Sequence, residues 1–347
     1  MKYNDVVDLS VLEPVKRDIL EKLKATFTHC ETAGVQLHQG SVGEPAVLFD
    51  LPDGDYYLAF KMDGVGTKSA IADKMAIAEK QGQKLYSGLG QDLVAMNVND
   101  LVCVGAIPFA LANEIAMGDA SYLTTQRREE LLEGLVTAAQ KGMVTIACGE
   151  TAVLPDIIAA GHANITGAAL GLVPRGWLRL GEHIQEGDCI YGLSSSGIHS
   201  NGLSLARRIA ENLPVAYATP FAGKTLGEEL LIPTHIYCHE VLGLFEHGID
   251  VHYISNITGS GWRKVMRSRY EWTYVIDTVP PMQPIFSFLQ EKGNVTDEEA
   301  YQTWNMGVGM IIIASESEQR KIAGIAQVIG HVEKGPKRVI LPFTEYR

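Results

Sequence analysis

Between residues 10 and 24, apolar side chains recur at Leu12, Val15, Ile19, Leu20 and Leu23. That interval predicts a helix, with Lys16 and Arg17 inside it. Tyr56-Tyr57-Leu58-Ala59-Phe60 reads as a strand, and Ser69-Ala70-Ile71-Ala72 opens a helix after the turn Asp63-Gly64-Val65-Gly66-Thr67-Lys68. Residues 106–117 are almost uncharged and predict a buried strand. Residues 121–141 predict a helix with Leu131, Leu132, Leu135 and Val136 on its inner face. A strand over 143–148 leads into Gly149-Glu150-Thr151, and another is expected over 163–173. Pro174-Arg175-Gly176 then interrupts the pattern and marks a domain boundary. Beyond it come a turn and strand over 187–193, a loop over 194–202, a helix over 203–209 and a strand over 311–314. Strands and helices alternate in both halves without a repeat or low-complexity tract. The expectation is an α/β (α+β) chain of two domains, residues 1–173 and 174–347.

Composition narrows the class. At 347 residues, 46% hydrophobic and 20% charged, the chain can bury a substantial core and is not of a disordered type. A net charge of −12 argues against a general nucleic-acid or anionic-membrane surface, while leaving room for a local basic pocket. Cys30, Cys103, Cys148, Cys189 and Cys238 are odd in number, widely spaced and without a Cys-x-x-Cys pair. They read as small buried residues of a reducing compartment rather than a disulfide frame or zinc site. Met1-Lys2-Tyr3-Asn4-Asp5 lacks a signal-peptide apolar core and no apolar run is long enough to span a bilayer, so a cytoplasmic protein is expected.

The candidate chemistry begins at Asp63. A strand ending in a turn with two glycines brings backbone N–H groups close to an anion, with Asp63 available to a divalent cation and Lys68 as a point charge. Asp92 and Asp100, with Asn99 beside them, are spaced a little over two helical turns apart. In one continuous helix both carboxylates lie on roughly one face, a set of oxygens suited to Mg²⁺ with phosphate. On residue types alone the same pattern also suits a tight turn with solvated or capping acids. The order Gly-Thr-Lys is not that of a P-loop. Glu150, after a buried strand, is either a ligand in a cleft or a loop acid. His199, between Gly197 and Gly202 and followed by Ser200 and Asn201, suits an anion-facing helix start, although a lone histidine there also serves as a cap or packing residue.

Six blocks occur in one order: Asp63 to Lys68; Val98-Asn99-Asp100-Leu101-Val102 with Gly105-Ala106 and Pro108; Gly149-Glu150-Thr151-Ala152; Ser195-Ser196-Gly197-Ile198-His199-Ser200-Asn201-Gly202; Thr258-Gly259-Ser260-Gly261; and Asn305-Met306-Gly307-Val308-Gly309-Met310. Together they resemble the phosphoribosylformylglycinamidine cyclo-ligases, also called aminoimidazole ribonucleotide synthetases. The resemblance implies an N-terminal domain whose strands join a second subunit's in an intersubunit barrel, a C-terminal α/β domain with a mixed sheet, and a homodimer. It implies ATP and Mg²⁺ as cofactors and a small phosphorylated substrate. On that pattern Asp63, Asp92 and Asp100 hold the metal, and Gly64, Gly66, Thr67, Asn99, Gly149, Glu150 and Thr151 face the nucleotide. Lys68, His199 and the candidate Lys16 act in catalysis, while Ser196, Gly197, Ser200, Asn201, Thr258 and Gly259 meet the substrate.

The chain departs from the family at Asn113 (aspartate there), His235 (arginine) and Asn256 (histidine). Residues 39–45 form a shortened glycine segment, expected to be a mobile loop without a cofactor role, and Val153-Leu154-Pro155-Asp156 replaces a longer ending. Those departures leave open a related enzyme of the same architecture acting on another substrate, or a non-catalytic nucleotide-binding homologue.

Overall fold

The computed structural model describes residues 8–52, 54–78 and 84–347, with Leu9, Ile77 and Ala78 described in backbone only. Met1 to Asp5, considered above for a signal, lie outside the described residues.

The first half runs α1 (Leu9–Leu23), β1 (Gln36–Leu37), β2 (Val47–Asp50), β3 (Tyr56–Gly64), α2 (Lys68–Ala78), α3 (Ser87–Cys103), β4 (Ile107–Met117), α4 (Thr125–Lys141), β5 (Thr145–Val153) and β6 (Ala163–Pro174). Its six-stranded sheet has the order β1-β2-β3-β6-β4-β5 and is antiparallel except for the parallel pair β4 and β5. Register places Asp63, Gly167, Asn113 and Gly149 in one row across four strands, and Gly64, Thr166, Glu114 and Glu150 in the next. Because side chains alternate along a strand, these rows face opposite sides of the sheet. The Asp63 row faces α3, where Asn97 Nδ2 donates to the Asp63 carbonyl.

The second half contributes β7 (Cys189–Ser194), α5 (Leu203–Glu211), the hairpin β8 (Pro220–Phe221) and β9 (Lys224–Thr225), α6 (Leu226–Leu230), α7 (Cys238–Glu246), β10 (Val251–Asn256) and β11 (Thr273–Ile276). After these come α8 (Pro284–Gly293), α9 (Asp297–Thr303), β12 (Val308–Ala314), α10 (Gln319–Ile322), β13 (Gln327–Glu333), β14 (Arg338–Leu341) and β15 (Thr344–Tyr346). Its seven-stranded sheet, β10-β12-β7-β13-β11-β14-β15, is mixed, with β11 and β14 parallel. β12 is buried on both faces, which explains its unbroken apolar run. The fold is thus two-domain α+β with mixed sheets.

Several local expectations change in three dimensions. α1 forms, but Val11, Leu12, Val15, Ile19, Leu20 and Leu23 are all exposed, so most of its apolar stripe faces solvent, with Leu20 lining a cavity beside Phe27, Leu37 and Phe49. On α4, Leu131 and Leu135 are buried while Leu132 and Val136 face solvent. Cys148 is exposed rather than buried. Gly149-Glu150-Thr151 does not follow a strand but lies inside β5, because pairing with β4 continues to Val153. Residues 39–45, expected as a mobile loop, are packed. Ser41 Oγ donates to the His38 carbonyl and accepts from Leu48 N–H, and Glu44 Oε2 accepts from Tyr253 Oη at 3.1 Å across to the second half.

Candidate active site

The two halves meet along α3. From Leu89 to Cys103 all of its residues but Gln91 are buried, and its polar side chains grip the segment 232–237 of the second half. Asp92 Oδ1 accepts from Thr234 N–H (2.7 Å) and Thr234 Oγ1 (2.6 Å). One turn pair further on, Asn99 Oδ1 accepts from Tyr237 N–H at 2.9 Å while its Nδ2 donates to the His235 carbonyl at 2.8 Å. Gln91 Nε2 donates to the Thr234 carbonyl at 2.9 Å.

Lys68, the first residue of α2, belongs to this same seam. Its Nζ lies 2.9 Å from Asp92 Oδ2 and donates to the Ile232 carbonyl at 2.6 Å, with neither charged side chain exposed. Burial pulls the Lys68 ammonium below its ordinary value, and Asp92 opposes that pull without overcoming it. Lys68 and Asp92 therefore fasten the halves together in this structure rather than opening onto a cleft.

Asp63 and Asp100 come together, and the group between them is Lys61. Its Nζ is 2.6 Å from Asp100 Oδ2 and 3.2 Å from Asp63 Oδ2. The other oxygens are also taken: Gly64 N–H donates to Asp63 Oδ1 at 2.8 Å and Asn256 Nδ2 to Asp100 Oδ1 at 3.2 Å. Burial disfavours the Lys61 charge, but Asp100 and Asp63 outweigh it and hold its pKa above the usual lysine value. Lys264 stands nearby, pushed down to about 8 by burial and by the neighbouring Arg267 and Lys61 charges.

The three carboxylates predicted for the metal are not assembled as one group, since Lys68 holds Asp92. Among the described residues no cluster of three or more His, Cys, Asp or Glu side chains is disposed to take a metal ion. Mg²⁺ often uses only one or two protein carboxylates, completed by phosphate oxygens and water. Asp63 and Asp100 stand close enough to share one cation, the Lys61 ammonium, and with that ammonium displaced they meet the smaller requirement.

In the second half, three loops converge beside the seam. Asn201 Oδ1 accepts from Gly259 N–H at 3.0 Å, and Asn305 Nδ2 donates to the Gly197 carbonyl at 2.8 Å. Ser195 N–H bonds the Gly307 carbonyl, and Ile257 N–H the Gly309 carbonyl. Ser196 Oγ donates to the Pro233 carbonyl at 2.7 Å, and Ser200 Oγ lies 3.1 Å from Thr234 Oγ1. His199 is buried with a positive φ of 61°. Ser196 N–H donates to its Nε2 at 3.2 Å, and since an amide N–H can only donate, the proton of the neutral ring sits on Nδ1. Burial, reinforced by the charges of Lys68 and His235, lowers the His199 pKa to about 3. The ring packs against Gly309, where an added Cβ would stand 2.6 Å from His199 Cε1 and 1.9 Å from Tyr237 Oη.

Across the seam the exposed Gly66 turn faces this loop: a Cβ on Gly66 would lie 3.9 Å from the Ser200 carbonyl oxygen. The structure thus brings together the Gly64 to Thr67 turn, Asp63, Asp100 and the loops bearing Ser196 to Asn201 and Thr258-Gly259. It does not bring Glu150 to them within one chain. Glu150 and Thr151 are exposed on β5, and Glu150 shares the open face with Glu114, whose Oε2 accepts from Thr166 Oγ1 at 3.0 Å. Gly149 packs against Asn113 instead. Lys16 is on exposed α1 and pairs with Glu13 at 2.9 Å.

Sequence reasoning missed Lys61, Gln91, Thr234, Lys264 and Arg267. Only Lys61 carried a local signal: two residues before Asp63 on a strand, it had to share that residue's face. His235, where the family has arginine, pairs with Glu240 at 2.6 Å.

Domain models of the AIR synthase related protein family match the chain twice, the N-terminal domain over residues 43–173 and the C-terminal domain over 185–341. Fold and matches together define a two-domain AIR synthase-related protein. The chain is 38% identical over 342 residues to the phosphoribosylformylglycinamidine cyclo-ligase of Methanocaldococcus jannaschii, covering 95% of this chain and 91% of that one. It is 36% identical over 346 residues to the enzyme of the same name from Methanobrevibacter smithii, covering 97% and 96%. The chain therefore belongs to the phosphoribosylformylglycinamidine cyclo-ligase family. Its fold is also that of AaThiL solved with AMPPCP and TMP (TM-score 0.63, 13% identity, 98% and 94% covered). The hydrogenase maturation protein HypE solved with ATP shares it as well (TM-score 0.59, 20% identity, 81% and 80% covered).

Proposed function

We propose that this protein catalyses the ATP-dependent ring closure of formylglycinamidine ribonucleotide to aminoimidazole ribonucleotide, a step of purine biosynthesis in the cytoplasm. The observation that carries the reading is the meeting of the Gly66 turn with the Ser200 carbonyl. The turn and the loop lie against each other across one seam, which supports a reading in which the turn takes the nucleotide and the loop the substrate. In this reaction the substrate amide oxygen takes the γ-phosphoryl group and ADP leaves. The amidine nitrogen then attacks the activated carbon, and the C–O bond breaks to release phosphate and close the imidazole ring. Such chemistry depends chiefly on alignment and on offsetting developing charge.

In this reading the N–H groups of the Gly64 to Thr67 turn face the phosphates, with Lys264 and Arg267 adding positive charge. Asp63 and Asp100 would hold Mg²⁺, which when bound neutralises phosphate charge. Lys68, Asp92 and Asn99 keep the two sides in register. His199, neutral at ordinary pH, contributes as an Nδ1–H donor and as the acceptor that shapes the Ser196-Gly197 turn, rather than as an imidazolium acid. Ser196, Gly197, Ser200, Asn201, Thr258 and Gly259 surround the substrate. Lys16, Gly149, Glu150 and Thr151 are left without a role inside a single chain.

A homodimer belongs to the same reading. Among the described residues no strand pairs with the outer side of the edge strand β5, and Tyr56, Phe60, Met62 and Val153 are exposed on the same sheet. Uncovered edges and apolar sheet faces favour association, and a second copy closing an intersubunit barrel would cover both. No helix among the described residues is long and apolar enough to cross a membrane.

The test is coupled ADP release on adding formylglycinamidine ribonucleotide, with ring formation followed by a colorimetric amine assay. Release that the substrate does not stimulate would remove this reading.

A further inference from the structure

Lys61 fills the space between the two acids to which the reading above assigns the metal. It stands on β3 two residues before Asp63, on the α3-facing side of the sheet, and its side chain is only 17% exposed while that of Asp100 is 6%. A buried carboxylate such as Asp100, with a half-buried second one beside it, is costly without a counter-ion, and here the chain supplies its own. Lys264 adds a second positive group beside the pair, and Arg267, next to Lys264, has the Glu44 carboxylate near it.

We propose that Lys61 is a tethered counter-ion that blocks the Asp63 and Asp100 pair to free divalent cation and yields it only when cation and nucleotide phosphates arrive together. The inference rests on the assignment of the metal to that pair.

The coupling follows from charge. A cation entering alone must displace the ammonium from both carboxylates while the like charge of Lys264 stands beside it. A cation entering with a polyphosphate brings an anion: Lys61 moves from carboxylate to phosphate, and Lys264 gains a partner in the same event. Each ligand thereby strengthens the other, and the coupling is reciprocal.

Calorimetry with Mn²⁺, in the presence and absence of a non-hydrolysable ATP analogue, tests this on the full chain. Wild type is expected to bind free Mn²⁺ weakly and to gain at least tenfold in Mn²⁺ affinity with the analogue. Lys61→Met is expected to bind free Mn²⁺ at least tenfold more tightly than wild type and to lose most of the gain from the analogue, whereas Lys61→Arg keeps the wild-type pattern. A Lys61→Met protein with native circular dichroism that binds free Mn²⁺ no more tightly than wild type overturns the proposal. Lys61→Gln serves the same comparison if the methionine variant does not fold. Asp63→Asn and Asp100→Asn separate the two ideas. If neither weakens Mn²⁺ binding with the analogue present, the metal assignment itself fails, and the inference with it.

Discussion

Lys68 Nζ and Asp92 Oδ2 lie 2.9 Å apart in a pair shut off from solvent, and each partner also binds backbone from the opposite half, at Ile232 and Thr234. Removing one member of such a pair leaves a buried charge unmatched. Lys68→Met is expected to lower stability by roughly 3–5 kcal/mol in denaturant unfolding, while Lys68→Met with Asp92→Leu recovers much of that loss. A single variant within 1 kcal/mol of wild type, by about the scale of an exposed pair, would contradict this picture.

Asn99 is the second clamp. Asn99→Ala leaves the Tyr237 N–H and His235 carbonyl without their partner, a cost of roughly 1–3 kcal/mol for each buried group. Hydrogen exchange should show the Tyr237 amide losing protection in this variant. Unchanged protection would mean that the segment is held elsewhere.

The depressed His199 pKa sets a sign for acid sensitivity. Its folded value, about 3, lies below the ordinary 6.5, so between those limits the unfolded chain binds the additional proton. Stability from this group is fully present above pH 6.5 and falls as pH drops toward 3, by at most about 1.4 kcal/mol per pH unit. His199→Gln is expected to flatten the stability profile across that window relative to wild type. Equal slopes in the two proteins would show that the ring is not buried neutral.

Gly309 is where the substrate-side loops have no room to spare. Gly309→Ala must push aside the Tyr237 hydroxyl and His199 together. Turnover is expected to fall at least tenfold, with a shift in the near-ultraviolet circular dichroism reporting displacement of Tyr237. Wild-type values for both would refute the close packing.

Much of the architecture was legible because its signals are local. The apolar run ending at Phe60 and the glycine turn after it gave β3 and the turn into α2, and the spacing of Asp92 and Asp100 gave one helix with both acids on roughly one face. What that spacing does not contain is the identity of their partners. Thr234 lies 142 residues from Asp92, and Asn256 lies 156 from Asp100. The metal-site reading treated Asp92 and Asp100 as equivalent because helical geometry makes them neighbours. They differ because one side of the helix faces Lys68 and the other Lys61. Lys61 was accessible from strand alternation, because it lies two residues before Asp63 and shares its face. α1 shows the opposite limit: its periodicity announced a helix correctly, but periodicity carries no information on what, if anything, covers the apolar stripe.

α3 has little outer surface. One flank lies on the six-stranded sheet and another receives the strap 232–237, so each half supplies a wall of the other's interior. Such a molecule cannot be cut between its halves without baring the interior of each. An amino-terminal fragment ending at the interdomain linker would show water a long, mostly apolar rod, and the pair of halves would be expected to melt in a single cooperative event.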